Sequence, residues 1–524
     1  MSAIITDQLR ILNAKNFVSN LISTERSYYT FIGLPNATNY DENWDANPPS
    51  PKDSFDQEND YWDSMIALKK IKPSDVSLVV RKITWESGKT YDMYRHNISR
   101  TKLSLPSQST NLYNSNFYVV NSEYKVYICL HNGSDPENPE GKPSLDEPTF
   151  SDLEPRSAGD SGDGYIWKYL FTIPPSDIIK FDSINFIPVP KNWGEDTSSS
   201  VIKLNATTSG QLKIVTIVNR GSGLGPENSV YTNVPIYGDG TGATATVVLD
   251  NESQVKSVTV SNGGEGYTYG TLDLRNTSID TNSPNFRAPI FDVIIPPKDG
   301  HGYDIYRELG SFNVLLYSRI ENDNENPDFI IGNQISRFGI VENPQKYNSL
   351  DILIDDKVSS LGAIKLKGNI GDAVFPQDSQ ITQTIGVGLT AVGRVVSYDQ
   401  NTGVLKYWQD RSFYGFNYDE TKNDSPVYGF RKHDFTSFPG IGGSLIIQGE
   451  NFNLEIDTEF GTPSSPGITT QINNKVYYLG QEFQYGISNP EVKKYSGNII
   501  YVDNRPSITR SKNQKEDIKI ILQF

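Results

Sequence analysis

Residues 162 to 177, GDGYIWKYLFTIPPSD, constrain the fold more than any other stretch because they join a turn, an aromatic run and a proline stop. Gly162, Asp163 and Gly164 make a tight turn. From Tyr165 to Ile173 the residues are aromatic, β-branched or long apolar, with one Lys, which predicts a strand covered over much of its surface. Pro174 and Pro175 then end the ladder, because proline has no N–H to donate. The alternate positions Tyr165, Trp167, Tyr169 and Phe171 are the ones expected to carry the body of the fold, and none of them is catalytic.

At 524 residues the chain exceeds what one hydrophobic core serves, so several domains are expected. Only 36% of it is hydrophobic, yet 11% is aromatic, which predicts folded, thin β layers and excludes a disordered chain. The formal charge of −16 argues against a nucleic-acid surface, which needs clustered cations to displace counterions from phosphates. It suits solubility or docking onto basic partner surfaces. Cys129 is the single cysteine, so no intramolecular disulfide and no cysteine-based zinc site can form. Its neighbours Tyr127, Ile128 and Leu130 predict a buried thiol. No apolar run has the length of a membrane span and no secretory leader is evident, so a soluble product without membrane contact is expected.

Thr6 and Asp7 can cap a helix carrying Leu9, Leu12, Phe17, Leu21 and Ile22 on its apolar face. Residues 34 to 60 read as an extended loop anchored by Trp44 and Phe55, followed by a short helix over Asp60 to Leu68 that presents Trp62, Met65 and Ile66. Between Val76 and Ile173, the runs VSLVVRKITW, NFYVV, KVYICL and YIWKYLFTI are strands. The polar segment NGSDPENPEGKPSLDEPTFSDLEPRSAGDSGDG among them reads as disordered or as a contact arm. Residues 201 to 275 hold an internal duplication, in which VTIVN at 215 recurs as VTVSN at 258, each copy ahead of a glycine-rich turn. Two such units can pack face to face. Near Thr390 to Trp408 the turn SYDQNTG joins a hairpin, in a region where barrel and sandwich are both open.

Each chemical motif is outweighed by a structural reading. The clusters GSGLG (221 to 225) and GDGTGA (238 to 243) lack the helix and the Lys-Ser/Thr pair of a phosphate loop, so they read as turns. His96, His131, His301 and His433 are far apart and predict no metal site, and no cofactor is expected. Ser161 lacks the glycine framing of a nucleophile elbow. Trp85, Tyr91 and Tyr94, or Trp408, Phe413, Tyr414 and Phe416, divide between core packing and partner contact. Acidic residues on β sheets also leave open a carbohydrate-binding or carbohydrate-cleaving tail protein, since glycoside hydrolysis needs only two carboxylates at the right separation, and a host-adhesion module.

Five stretches in order resemble the baseplate wedge subunit of T-even-like myophages, the gene-eight product family. They are NPPSPKDSFDQENDYWDSMIALKKI (47 to 71), VVRKITWESGKTYDMY (79 to 94), SNFYVVNSEYKVYICLHNG (115 to 133), GDGYIWKYLFTIPPSD, and YSGNIIYVDNRPSITRSKNQKEDIKIILQF (495 to 524). RFGIVENP (337 to 344) is similar to a strand of that family ending in an Asn-Pro turn. The resemblance implies a non-enzymatic virion protein of the tail baseplate, made in the host cytoplasm. It also implies a homodimer in each wedge that contacts other baseplate wedge proteins during assembly and tail contraction.

The fold class expected is therefore mainly β: a multidomain, β-sandwich-like body with a short N-terminal helix and inserted small β domains. Residues 1–200 would form the N-terminal part of the body, 201–299 an inserted β domain, 300–350 a return to the body, 351–480 a second insert, and 481–524 the closing strands. The turn Asp503, Asn504, Arg505 and Pro506 would hold the body together, with Arg505 fixed by carbonyls or a carboxylate in a geometry lysine cannot copy.

Overall fold

The structure, a computed structural model, describes residues 3–524 apart from 24, 36–43, 207, 275–276, 278–281, 283, 322–333, 410–427, 433–434, 437–439 and 512–513. The fold is mainly β, with five α-helices among the described residues: α1 (Asp7–Ile22), α2 (Phe55–Ser64), α3 (Pro175–Phe181), α4 (Thr197–Asn205) and α5 (Ile305–Leu309). Two compact units share the chain. The first takes Met1–Val18, Ser77–Leu315 and Ile521–Phe524, and the second Ser19–Val76 and Leu316–Ile520.

In the first unit a three-stranded antiparallel sheet runs Tyr118–Val120, Lys125–Asn132, Tyr165–Thr172. Cys129 faces Trp167 across it and Tyr127 faces Tyr169, so the aromatic strand lies against a strand buried almost throughout. The long polar segment is neither disordered nor a free arm. It straps this sheet: Asn121 Nδ2 donates to the Pro148 carbonyl (2.9 Å), Lys125 Nζ to Thr149 (2.7 Å), and Arg156 and Trp167 exchange backbone hydrogen bonds. Its polar residues are spent on sheet and loop backbone, which is why composition alone misreads it.

Also in this unit, a four-stranded sheet ordered Val255–Glu265, Thr241–Leu249, Val230–Gly238, Gly270–Leu272 packs on the ladder of Ile214–Asn219 with Ile290–Ile294. Val234, Ile236, Ala245 and Val247 from the sheet meet Val215 and Val293 from the ladder in one core. The two copies of the repeated pentapeptide lie in different sheets, so the duplication is one of sequence and not of structural role. Gly221, Gly223, Gly225, Gly264 and Gly266 all take positive φ, as turn glycines do.

The second unit holds a five-stranded antiparallel sheet ordered Lys357–Ser359, Met65–Lys70, Tyr28–Gly33, Gln334–Glu342, Asn498–Thr509. Gly339 sits where a Cβ would lie 2.2 Å from the Phe31 ring and 2.5 Å from the Tyr501 carbonyl, so a side chain there would push its neighbours away. Beside the sheet is a closed six-stranded barrel. Its ring runs Gly362–Lys367, Val404–Trp408, Leu389–Asp399, Gln380–Gly386, Ile446–Gln448, Asn453–Ile456, and closes where Leu366 pairs with Ile456. Ile364, Leu366, Ile381, Val395, Leu405 and Ile456 fill it. The hairpin expected near residue 400 forms, its turn held by Asp399, whose carboxylate accepts from Asn401 N (3.0 Å) and Thr402 Oγ1 (2.7 Å).

Two helical expectations are corrected. α1 buries Ile11, Ala14 and Leu21, and leaves Leu9, Leu12 and Ile22 exposed, so tertiary packing covers only part of its apolar residues. α2 begins at Phe55 with Ser54 as its cap and ends at Ser64, so Met65 and Ile66 are strand residues. Trp44 anchors its segment as expected, whereas Phe55 is 88% exposed in the first turn of the helix.

Candidate functional site

The expected Asp503-Asn504-Arg505-Pro506 turn is instead the middle of the twelve-residue strand Asn498–Thr509. Ile508 pairs with Ile335 and Asn504 with Arg337, so three residues, Arg505 to Ser507, bulge opposite one. Turn-forming residues make a bulge here because pairing resumes on both sides, and Pro506 needs no ladder partner at a bulge. Arg505 itself is exposed, its Nε 2.6 Å from Asp503 Oδ2.

The buried arginine of the region is Arg337, on the neighbouring strand. Its Nε donates to Asn504 Oδ1 (2.9 Å), Nη1 to Ser64 Oγ and to the Asp60 carbonyl (3.4 Å), and Nη2 lies 3.3 Å from Asp60 Oδ2. The guanidinium also stands over the rings of Tyr61 (4.8 Å) and Trp44 (5.6 Å). Guanidinium geometry suits this site because its fixed fork serves several acceptors while its face stacks on aromatics.

Around Arg337 the segment 44–64 is sewn to the bulged strand. Asn504 Nδ2 donates to the Pro49 carbonyl (2.9 Å) and Trp44 Nε1 to the Arg505 carbonyl (2.9 Å). Ser507 N donates to Asp45 Oδ1 (2.9 Å), and hydrogen bonds from Ser507 hold the Asp45 carboxyl below the usual carboxylate range. Tyr495 donates to Asp63. The proline-rich loop and the closing strand, more than 430 residues apart in sequence, thus form one frame.

The aromatic strand is locked by its turn. Asp163 is buried and accepts from Tyr165 N and Leu145 N (both 2.9 Å), between Gly162 and Gly164 at φ of 72° and 83°. Tyr165 stacks on Trp167 (5.2 Å, 16°), and Tyr91 meets both rings edge-on. The Tyr165 hydroxyl donates to the Lys142 carbonyl (2.7 Å) and accepts from Tyr91 N (2.9 Å). Tyr169 is half-buried and meets Tyr127 edge-on, Phe171 packs on Trp193, and the Pro174 carbonyl accepts from the first turn of α3. Lys168, the one cation of the strand, is buried and donates to the Leu153 carbonyl (2.7 Å) and Asn205 Oδ1 (3.4 Å).

Of the other candidates, Tyr91, Tyr94 and Trp408 are core residues and Trp85 is half-buried, while Phe413, Tyr414, Phe416 and His433 lie outside the described residues. Burial pushes the Cys129 thiol well up and the His96 and His131 imidazoles down, so each favours its neutral form. The turn residue His301 is buried with Nδ1 2.5 Å from Glu308 Oε1, and the other Glu308 oxygen accepts from Gly302 N (2.7 Å). Sequence reasoning missed this pair, although a seven-residue spacing across a glycine turn and one helical turn could have suggested it. Ser161 is exposed on its loop. Among the described residues, no group of three or more His, Cys, Asp or Glu converges as metal ligands would, and no helix is long and apolar enough to cross a membrane.

Fold and frame together define a mainly β protein. Residues 3–149 match the family described as Bacteriophage T4, Gp8. The chain is also 27% identical over 225 residues to the baseplate wedge protein gp8 of Enterobacteria phage T4, an overlap of 37% of this chain and 62% of that relative, so it spans less than two thirds of the relative's length. Residues 3–149 are thus similar to the Gp8 family, and the resemblance read from the ordered motifs is borne out for the three stretches that lie there, at 47–71, 79–94 and 115–133. The aromatic strand lies beyond residue 149, outside the family match.

Proposed function

We propose that the chain is a structural component of a phage tail baseplate wedge, scaffolding neighbouring wedge subunits during assembly and contraction. The observation that carries this reading is the Gp8-family match over residues 3–149, a region that contributes Trp44, Pro49, Asp60 and Ser64 to the Arg337 frame. A scaffold needs surfaces held in fixed register, and a buried, hydrogen-bonded ion pair supplies register because loss of a partner is penalised. On this reading the protein is a non-enzymatic virion protein, a homodimer in each wedge, made in the host cytoplasm, with residues 201–299 and 351–480 as inserts into the body. Of the twelve motif residues from Gly162 to Pro174 and from Asp503 to Pro506, all but the exposed Arg505 then serve stability of the body.

The test is to propagate a phage lacking the gene and complement it with the wild-type chain. Absence of complete baseplates without complementation, and density for this chain in the wedge after it, are the expected results. Complete contractile tails on particles without the chain would overturn the reading.

A further inference from the structure

Both copies of the repeated pentapeptide in the first unit end in an asparagine that makes the same contact. Asn219 Oδ1 accepts from Gly221 N (2.8 Å) and Asn262 Oδ1 from Gly264 N (3.0 Å), each bond reaching two residues ahead. Both asparagines are exposed. They differ in the residue that follows, which is Arg220 in the first copy and Gly263 in the second. That residue decides whether its backbone nitrogen can reach the asparagine side-chain carbon, because glycine has no Cβ to hold the two apart and turns freely.

The surroundings of the second copy favour this approach. Gly263 O accepts from Leu212 N (2.9 Å), and Ala243 N, opposite it in the sheet, donates instead to Tyr267 Oη (3.2 Å). The N–H and C=O of one strand residue point the same way, so the Gly263 nitrogen is turned away from the ladder. Pairing also shifts between Thr244 and Ala245, which leaves Ser261 as an extra residue beside Asn262. The Gly264 N–H already sits on Asn262 Oδ1, where negative charge collects when the side-chain carbon is attacked. The chain's other Asn-Gly pair, Asn132–Gly133, has no such freedom. Asn132 is 2% exposed, its Nδ2 donates to the Tyr91 (2.9 Å) and Glu140 (3.1 Å) carbonyls, and Gly133 N donates to His131 Nδ1 (3.0 Å).

We propose that Asn262–Gly263 is a self-modification site, where the chain closes an imide ring on itself and reopens it as aspartate or isoaspartate. The Gly263 nitrogen gives its proton to solvent hydroxide and attacks Asn262 Cγ. The new N–Cγ bond replaces Cγ–Nδ2, and Nδ2 leaves as ammonia with a proton from water. Water then adds across one of the two ring N–C bonds. Opening at Cγ yields aspartate, and opening at the Asn262 backbone carbonyl carbon leaves the chain running through Cγ as isoaspartate. Either product adds a negative charge to the edge strand Val255–Glu265, and the second lengthens its backbone by a methylene.

The test incubates the folded full chain at mildly alkaline pH in water labelled with heavy oxygen and maps its peptides by mass spectrometry over time. The peptide holding Asn262 takes up label first, as a mixture of aspartate and isoaspartate, and faster as pH rises. Asn219 and Asn132 lag by about tenfold or more, Asn219 for want of a following glycine and Asn132 because its site must first open. Asn262→Gln abolishes the early label, since glutamine would have to close a larger ring. In urea, where burial is gone, Asn132 catches up with Asn262. Label at Asn262 no faster than at Asn219, aspartate without isoaspartate, early label at Asn132 in the folded chain, or an Asn132 that still lags in urea overturns the proposal.

Discussion

In the first unit Trp167 lies stacked on Tyr165 and edge-on to Tyr91, with its indole N–H buried and without an acceptor, whereas in the second unit Arg337 is buried with acceptors for Nε and both terminal nitrogens. The aromatic stack is held by non-directional burial and tolerates one unmet hydrogen bond. The arginine frame depends on direction, and losing one partner leaves a charge stranded in the interior. The contrast teaches that these two motif regions, which look alike as rigid, aromatic-rich sequence, fail by different physics when perturbed.

The largest expected effect breaks the frame. Arg337→Met removes the cation and leaves Asp60 buried beside an apolar chain, which destabilises the second unit by about 3–5 kcal/mol in urea unfolding. Adding Asp60→Leu to that variant restores part of the loss, because the stranded carboxylate goes with it. A frame that tolerates the single change would erase the contrast drawn above.

A smaller effect is expected in the stack. Trp167→Phe loses ring volume but also removes the unmet N–H, so the first unit weakens by only about 1–2 kcal/mol in the same assay. A loss as large as that of Arg337→Met would show that the indole N–H has a partner after all. Smaller still is Arg505→Lys. That side chain is exposed and its pairing with Asp503 is a surface one, so stability changes by no more than about 0.5 kcal/mol in thermal melts. A loss above 2 kcal/mol would return Arg505 to the role expected of it from sequence.

The mildest test is one of pH. Hydrogen bonds from Thr268, with the Tyr269 N–H adding to them, hold the exposed Asp239 carboxyl at about 2, below its unfolded value of about 4. A depressed carboxyl contributes stability above the unfolded pKa and loses it as pH falls through the folded one. The gap in melting temperature between wild type and Asp239→Asn is therefore present above about pH 4 and closes towards pH 2. A gap that persists at pH 2 would assign the effect to packing instead of charge.

Much of the strand content was legible in short windows. The aromatic run, the KVYICL strand and the hairpin around Asp399 are set by local alternation and by turn residues, which act over a few positions. Other readings failed where a distant partner decided. Asn504 to Pro506 has turn chemistry, yet Ile335 and Arg337 pair on either side of it and turn it into a bulge. Arg337 passed unremarked in RFGIVENP because its partners lie 167 and 277 residues away. A lone arginine in an otherwise apolar strand was the one available signal. α1 offered more apolar residues than the fold covers, and nothing local says which of them are buried.

The sequence by itself determined that this is a mainly β chain with a buried lone thiol and glycine turns, because those properties follow from residue type and short spacing, while the likeness of its N-terminal part to Gp8 rests on resemblance alone. Only the tertiary structure decided that the barrel closes, that the polar strap is ordered, and that the frame is centred on Arg337 and not Arg505. Ring closure, burial and ion pairing each depend on which remote segments come within a few ångströms, and local spacing holds no information about that distance.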